Sequence, residues 1–121
     1  MAIETPLRYS LRRLTEAFRR YALTQHWGPD DYQVFVRLNL DWGAIHLILV
    51  AKEFRSPDGG DPWASVDRFL EDDLKDDRAL YESLRLVLHT YDQVKEGGLY
   101  GIPRSYEDIK YLLNGGLASP P

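Results

Sequence analysis

The chain has 121 residues with a formal net charge of −4, and it contains no cysteine. This length accommodates one domain with one hydrophobic core, and 44% hydrophobic against 28% charged residues is typical of a globular protein. The lack of cysteine excludes disulfides, thiolate metal sites and cysteine nucleophiles. We therefore expect a single domain over residues 1–121, with loosely held termini at residues 1–5 and 115–121.

Membrane insertion and secretion are not expected. No window of about 18 residues is apolar and uncharged enough to span a bilayer. The first residues lack the continuous apolar segment of a secretion signal. Because the chain has no cysteine that would need an oxidising compartment, the prediction is a cytoplasmic protein.

The first predicted element is an amphipathic helix over residues 6–26. Thr5 and Pro6 are typical of an N-cap and a first helical position. The apolar positions recur three and four residues apart, at Leu7, Leu11, Leu14, Phe18 and Tyr21. A basic face lies away from this apolar stripe and is formed by Arg8, Arg12 and Arg19, with Arg13 and Arg20 beside them.

The charge distribution suggests what this basic face contacts. Residues 1–29 carry five Arg and two Glu, a charge of +3, whereas residues 30–121 carry ten Lys or Arg and seventeen Asp or Glu, a charge of −7. Nucleic-acid binding is one interpretation, but an acidic protein repels phosphate at long range. We expect instead that the helix docks on the acidic remainder of its own domain.

An antiparallel β-hairpin is predicted next, over residues 32–54. Residues spaced by two place one apolar face toward the core, with members Tyr32, Val34, Val36, Leu38 and Leu40 on the first strand and Ile45, Leu47, Leu49 and Ala51 on the second. We expect a four-residue loop in which Gly43 takes the left-handed conformation. A three-residue loop would instead exchange the faces of the second strand.

The second face of the hairpin is mixed in character. Its apolar members are Phe35, Ile48 and Val50, and its polar members are Gln33, Arg37, Asn39, His46 and Lys52. A partly apolar sheet face is usually covered, either by the chain itself or by another subunit. We predict a homodimer whose interface comprises Phe35, Arg37, Trp42, His46, Ile48 and Val50. Trp42 is included because a hairpin tip is difficult to bury.

Three further helices are predicted after the hairpin, over residues 62–74, 77–96 and 105–113. Asp61 and Pro62 are typical of a helix start, and Ser105 with Asp108 resembles a capping box. The glycine-rich residues 98–102 favour a short third strand at the sheet edge. The predicted fold is therefore α+β, with an N-terminal helix, a hairpin and three helices packed on the sheet in two layers.

No pattern of residues predicts catalysis. The acidic run at residues 71–77 lacks the ligand spacing of a calcium loop, the three histidines lack metal-binding spacing, and no serine lies in a nucleophile motif. We therefore expect neither a metal nor a cofactor. The one candidate pocket would bind an anion, with Arg37, Asn39 and His46 on the second sheet face and Arg104 in a glycine-containing segment.

The preferred functional interpretation is a non-enzymatic protein-interaction or assembly module that acts as a homodimer, because the mixed sheet face needs a cover. The alternative is a small enzyme or ligand-binding protein that uses the anion pocket. A third hypothesis is nucleic-acid binding by the basic helix face, which the acidic net charge disfavours.

Overall fold

The structure is a computed structural model, and it describes residues 6–39, 43–54, 60–95, 102 and 105–113. Within these residues there are five helices and one four-stranded sheet. In chain order the elements are α1 (Pro6–Thr24), β1 (Tyr32–Asn39), β2 (Ala44–Ala51), α2 (Pro62–Asp73), α3 (Arg78–Glu82), β3 (Leu84–Thr90), α4 (Tyr91–Lys95), β4 (Glu107–Asp108) and α5 (Ile109–Tyr111). The α+β prediction is confirmed.

The predicted N-terminal helix is confirmed as α1. Its apolar stripe is buried, at Leu11, Leu14, Ala17, Phe18, Tyr21 and Ala22. The helix ends where His26 adopts a φ of 60° and the Trp27 amide donates to the Ala22 carbonyl. The Trp27 amide thereby satisfies a carbonyl at the helix end, and the left-handed conformation of His26 turns the chain toward β1. Thr5, the predicted N-cap, lies outside the described residues.

The hairpin forms as predicted, including its faces. Asn39 pairs with Ala44, so four residues form the loop, and Gly43 has a φ of 62°. Antiparallel partners point to the same side of a sheet. Val34 lies opposite Leu49 and Val36 opposite Leu47, and all four side chains are buried in the core. We call the opposite side of the sheet the second face.

The predicted helix over residues 77–96 is wrong. The structure divides this segment into the short helix α3, the strand β3 and the short helix α4. β3 pairs in parallel with β2, and Leu84, Leu86 and Leu88 pack against the core from one side of it. The apolar residues fit a helical spacing as well as an alternating one, and the open edge of β2 decides in favour of the strand.

The sheet order is β3-β2-β1-β4, which places a short strand on the other edge of the hairpin. β4 pairs antiparallel with β1, with Asp108 opposite Phe35. The predicted helix start at Ser105 is wrong, because Asp108 is the N-cap and accepts a hydrogen bond from the Lys110 amide at 2.7 Å. The strand predicted over residues 98–102 falls outside the described residues except for Ile102, which lies in no strand.

One layer of helices covers the core face of the sheet. Residues of α1, α2 and α5 share a single buried cluster with the core-facing strand residues. Arg13 pairs with Asp76 at 2.7 Å, and Arg20 pairs with Asp73 at 2.7 Å. These contacts join the basic N-terminal helix to the acidic second half of the chain. No helix among the described residues combines the length and apolar content needed to cross a bilayer.

Candidate functional site

The second face of the sheet contains three rows of neighbouring residues, each running across the strands. The first row comprises Gln33, Val50 and His89, the second comprises Phe35, Ile48 and Val87, and the third comprises Arg37, His46 and Arg85. In the first row Val50 and His89 are buried and Gln33 is exposed, whereas all three residues of the third row are solvent-accessible. The second row is entirely apolar, and the third row carries the positive charge of this face.

The third row brings together two of the predicted site residues. Arg37 on β1 is the direct partner of His46 on β2, and His46 is the direct partner of Arg85 on β3. We call these three residues the basic row. The Cβ atoms of antiparallel partners such as Arg37 and His46 are about 4.5–5.5 Å apart. Tyr106, which precedes β4, extends the row because the Arg37 guanidinium lies 5.3 Å from the centre of its ring.

The basic row is not neutralised by acidic side chains of the described part of the chain. Other arginines form ion pairs there, including Arg12 with Glu16, Arg13 with Asp76, Arg20 with Asp73, and Arg78 with Glu71 and Glu82. Arg85 instead donates to two carbonyls, of Glu82 at 3.1 Å and of Leu84 at 2.8 Å. Two guanidinium groups and an imidazole thus form a positive strip that an external anion can approach.

The basic row changes the protonation of its central histidine. Burial lowers the pKa of His46 below its ordinary value of 6.5, and the positive charges of Arg37 and Arg85 lower it further. His46 is therefore neutral at pH 7. A bound anion would offset the two arginine charges, so anion binding should raise the pKa of His46 and take up a proton.

This pKa predicts how pH affects stability. The unfolded chain binds a proton at His46 more readily than the folded chain, so this histidine should lower the free energy of unfolding as the pH falls through about 6.5. A titration of the imidazole chemical shifts should show a midpoint below 6.5 in the wild type. The midpoint should be higher in Arg85→Gln. A wild-type midpoint at or above 6.5 would contradict the charge arrangement described for this row.

The apolar residues predicted for a dimer interface lie elsewhere on the second face. Ile48 and Val50 are 4% and 1% exposed within one chain, and Phe35 is half-buried. α4 packs against β2 and β3. The hydroxyl of Tyr91, the first residue of α4, donates a hydrogen bond at 3.3 Å to the carbonyl of Asp30, which lies just before β1 in the chain. A single chain is thus sufficient to cover Ile48 and Val50.

The remaining predicted site residues are not brought to the basic row by described contacts. Asn39 is the last residue of β1, and its backbone pairs with that of Ala44. Trp42 and Arg104 lie outside the described residues. The structure thus joins Arg37 and His46 and adds Arg85 to them.

The basic face of α1 is largely engaged within the protein. Arg8 donates to the Leu113 carbonyl, and Arg12 lies 3.2 Å from Glu16. Arg19 is exposed. Arg20 pairs with Asp73 at the end of α2, and Arg13 pairs with Asp76 just after it. These two ion pairs help to dock α1 on the acidic part of the chain.

The acidic run at residues 71–77 also has structural partners. Asp73 and Asp76 accept from arginines of α1, and the Asp77 side chain accepts from the Leu80 amide at 3.2 Å as the N-cap of α3. Glu71 and Asp67 both accept from the Tyr81 hydroxyl. The described residues contain no group of three or more His or acidic side chains arranged to hold a metal ion.

Arg85 and Tyr106 were missed by the sequence interpretation. Arg85 was assigned to a helix, although Leu84, Leu86 and Leu88 alternate with Arg85 and Val87 as in a strand. That alternation was the available signal. Tyr106 gave no local signal, because its position beside Arg37 depends on the pairing of β4 with β1.

Comparisons of the chain with protein-family models, with curated proteins and with solved structures found no match. The geometry of the basic row is therefore the main guide to function.

Proposed function

We propose that this protein is a non-enzymatic interaction module that binds an acidic segment of a partner protein at the basic row. One observation supports the proposal above all. Arg37, His46 and Arg85 are direct neighbours across three strands, and none of them is paired with a carboxylate of a described residue. An external carboxylate can therefore bind without displacing an internal ion pair.

The arrangement costs stability when no anion is bound. Like charges directly opposite each other in a sheet are destabilising. The lowered pKa of His46 reduces this cost by keeping the imidazole neutral. A bound carboxylate removes the remaining repulsion and gains charge-assisted hydrogen bonds from the guanidinium groups.

The spacing of the row suggests the form of the partner. Arg37 and Arg85 lie on strands separated by β2, so their backbones are about 10 Å apart. In a segment of extended polyproline II conformation, residues three positions apart lie on the same side and are about 9 Å apart. The best-matched partner is therefore an extended segment with acidic residues three positions apart, crossing the strands over His46.

Two features favour this partner over nucleic acid or a substrate. The net charge of −4 repels a polyanionic backbone at long range, whereas a short acidic segment carries few charges. Among the described residues, His46 forms no hydrogen bond with a hydroxyl or carboxylate that would make a nucleophile and base pair. Binding is thus the simpler use of the row.

The experiment measures the fluorescence anisotropy of a labelled synthetic peptide that contains glutamates three positions apart. The double variant Arg37→Gln/Arg85→Gln should bind this peptide about tenfold more weakly than the wild type. Binding to the wild type should weaken as salt is added, because the contacts are exposed charges. It should strengthen as the pH is lowered toward 6, because His46 then gains a proton.

The matched control is Arg19→Gln/Arg68→Gln, which removes the same charge from exposed helix positions on α1 and α2. Its peptide affinity should stay within about twofold of the wild type. Equal losses in both double variants would show that net charge alone controls binding and would overturn the proposal. Tighter binding of a single-stranded oligonucleotide, lost in the control variant, would support the nucleic-acid hypothesis instead.

A further inference from the structure

β3 forms one edge of the sheet and has a free side. The Ile45 amide donates to the Ser83 carbonyl, and Ile45 is the direct partner of Leu84. In a parallel pair, the residues of one strand that hydrogen-bond to the neighbouring strand alternate with residues that do not. Because Ser83 bonds to Ile45, the amide and carbonyl groups of the odd-numbered β3 residues point toward β2. The groups of Leu84, Leu86, Leu88 and Thr90 therefore point outward.

The two ends of this free edge are capped by side chains. The Arg85 guanidinium donates to the Leu84 carbonyl at 2.8 Å, and the Thr90 amide donates to the Gln93 side chain at 2.8 Å. Capping of this kind prevents another strand from pairing at the ends of an edge. An incoming strand is therefore restricted to the middle of β3.

In the middle of the edge, one outward group accepts a hydrogen bond from a side chain and three have no partner among the described residues. Trp63 Nε1 donates to the Leu86 carbonyl at 2.9 Å, and a carbonyl has a second lone pair. In the described part of the chain, the outward groups Leu86 N–H, Leu88 N–H and Leu88 C=O have no hydrogen-bond partner. Val87, between them, is 46% exposed on the second face.

We propose that two copies of this chain associate by antiparallel pairing of their β3 strands about a two-fold axis at Val87. The Leu86 amide then donates to the carbonyl of Leu88 of the partner subunit, and the symmetric bond forms as well. The Leu88 amide donates to the second lone pair of the carbonyl of Leu86 of the partner subunit. The two four-stranded sheets become one continuous eight-stranded sheet.

The side chains also favour a second copy as the occupant. The two-fold axis places Val87 against Val87 of the partner subunit in the closer type of antiparallel pair, which buries an exposed apolar side chain on each copy. On the core face, Leu86 meets Leu88 of the partner subunit. The unpaired donors and acceptors of one copy are thus matched by those of the other, without a third chain.

The dimer leaves the basic row accessible, because pairing uses the edge of the sheet and the row lies on its second face. Arg85 lies opposite His89 of the partner subunit, and His89 is only 6% exposed within its own chain. This self-association does not depend on the acidic partner proposed above. Failure of one proposal leaves the other standing.

The first test is the mass of the purified protein by native mass spectrometry and by light scattering over a range of concentrations. The wild type should show a dimer whose fraction increases with concentration. Val87→Arg should be monomeric, because it places two cations against each other at the axis. Its circular dichroism should be unchanged, since Val87 is exposed. Leu23→Arg is the matched control, because Leu23 on α1 is 69% exposed and far along the chain from β3, and this variant should remain dimeric.

A second measurement does not depend on any variant. Hydrogen exchange of the Leu86 and Leu88 amides should slow by about tenfold or more as the concentration rises, because pairing protects outward amides. The inward Val87 amide should show little change. A wild type that is monomeric at all concentrations would overturn the proposal. Dimeric Val87→Arg, or exchange of the Leu86 and Leu88 amides that is independent of concentration, would overturn it equally.

Discussion

Replacing Ile48 with Asp should unfold the protein or destabilise it by about 3–5 kcal/mol. Ile48 is only 4% exposed, and its cross-strand neighbours Phe35 and Val87 carry no charge that could pair with a carboxylate. The substitution therefore buries an uncompensated charge on the second face. Urea denaturation followed by circular dichroism would measure the change in the free energy of unfolding.

The same row provides a matched control. Val87 is the direct partner of Ile48 on β3 and is 46% exposed, so Val87→Asp should change the free energy of unfolding by less than about 1 kcal/mol at a protein concentration too low for β3 strands to pair. The comparison tests whether the chain itself covers its second face. If Ile48→Asp stayed folded and merely changed the number of subunits, this face would be an interface between copies.

Proline scanning of β3 should give effects that alternate along the strand. Val87→Pro removes an inward amide and leaves the carbonyl of the fully buried Leu47 without its ladder hydrogen bond. We expect it to cost about 3 kcal/mol more than Val87→Ala. Leu88→Pro removes an outward amide, which edge strands tolerate, and should cost no more than about 1 kcal/mol beyond Leu88→Ala. Thermal unfolding at low protein concentration would measure all four variants.

This alternation distinguishes the strand from the helix that the sequence pattern suggested. Inside a helix, proline removes a backbone hydrogen bond and clashes with the preceding turn wherever it stands. Val87→Pro and Leu88→Pro would then be similarly destabilising relative to their alanine controls. Equal costs at the two positions would contradict the parallel pairing of β2 with β3, and with it the inclusion of Arg85 in the basic row.

The two proposals concern different parts of the sheet. Peptide binding depends on Arg37, His46 and Arg85 on the second face, whereas self-association depends on the outward groups of Leu86 and Leu88. Arg37→Gln/Arg85→Gln should therefore weaken peptide binding and leave dimer formation intact, whereas Val87→Arg should abolish dimer formation and leave peptide binding intact. Measuring both properties on both variants would show which surface each property requires.

The amino-acid sequence by itself determined the elements whose patterns are local. The spacing of Leu11, Leu14 and Phe18 defined α1, and the alternation of β1 and β2 assigned each side chain to a face. Gly43 fixed the form of the loop because few other residues adopt its positive φ. The neighbourhood of Arg37 and His46 followed from the same alternation, because both residues lie on the face opposite the core.

Only the tertiary structure decided the rest, because long-range pairing controls it. Residues 84–90 fit a helix or a strand locally, and the open edge of β2 selects the strand. That choice places Arg85 beside His46, leaves Val87 exposed and creates the free edge of β3. Tyr106 reaches Arg37 only because β4 pairs with β1. Burial of Ile48 and Val50 likewise depends on elements distant in the chain, which no local pattern of residues specifies.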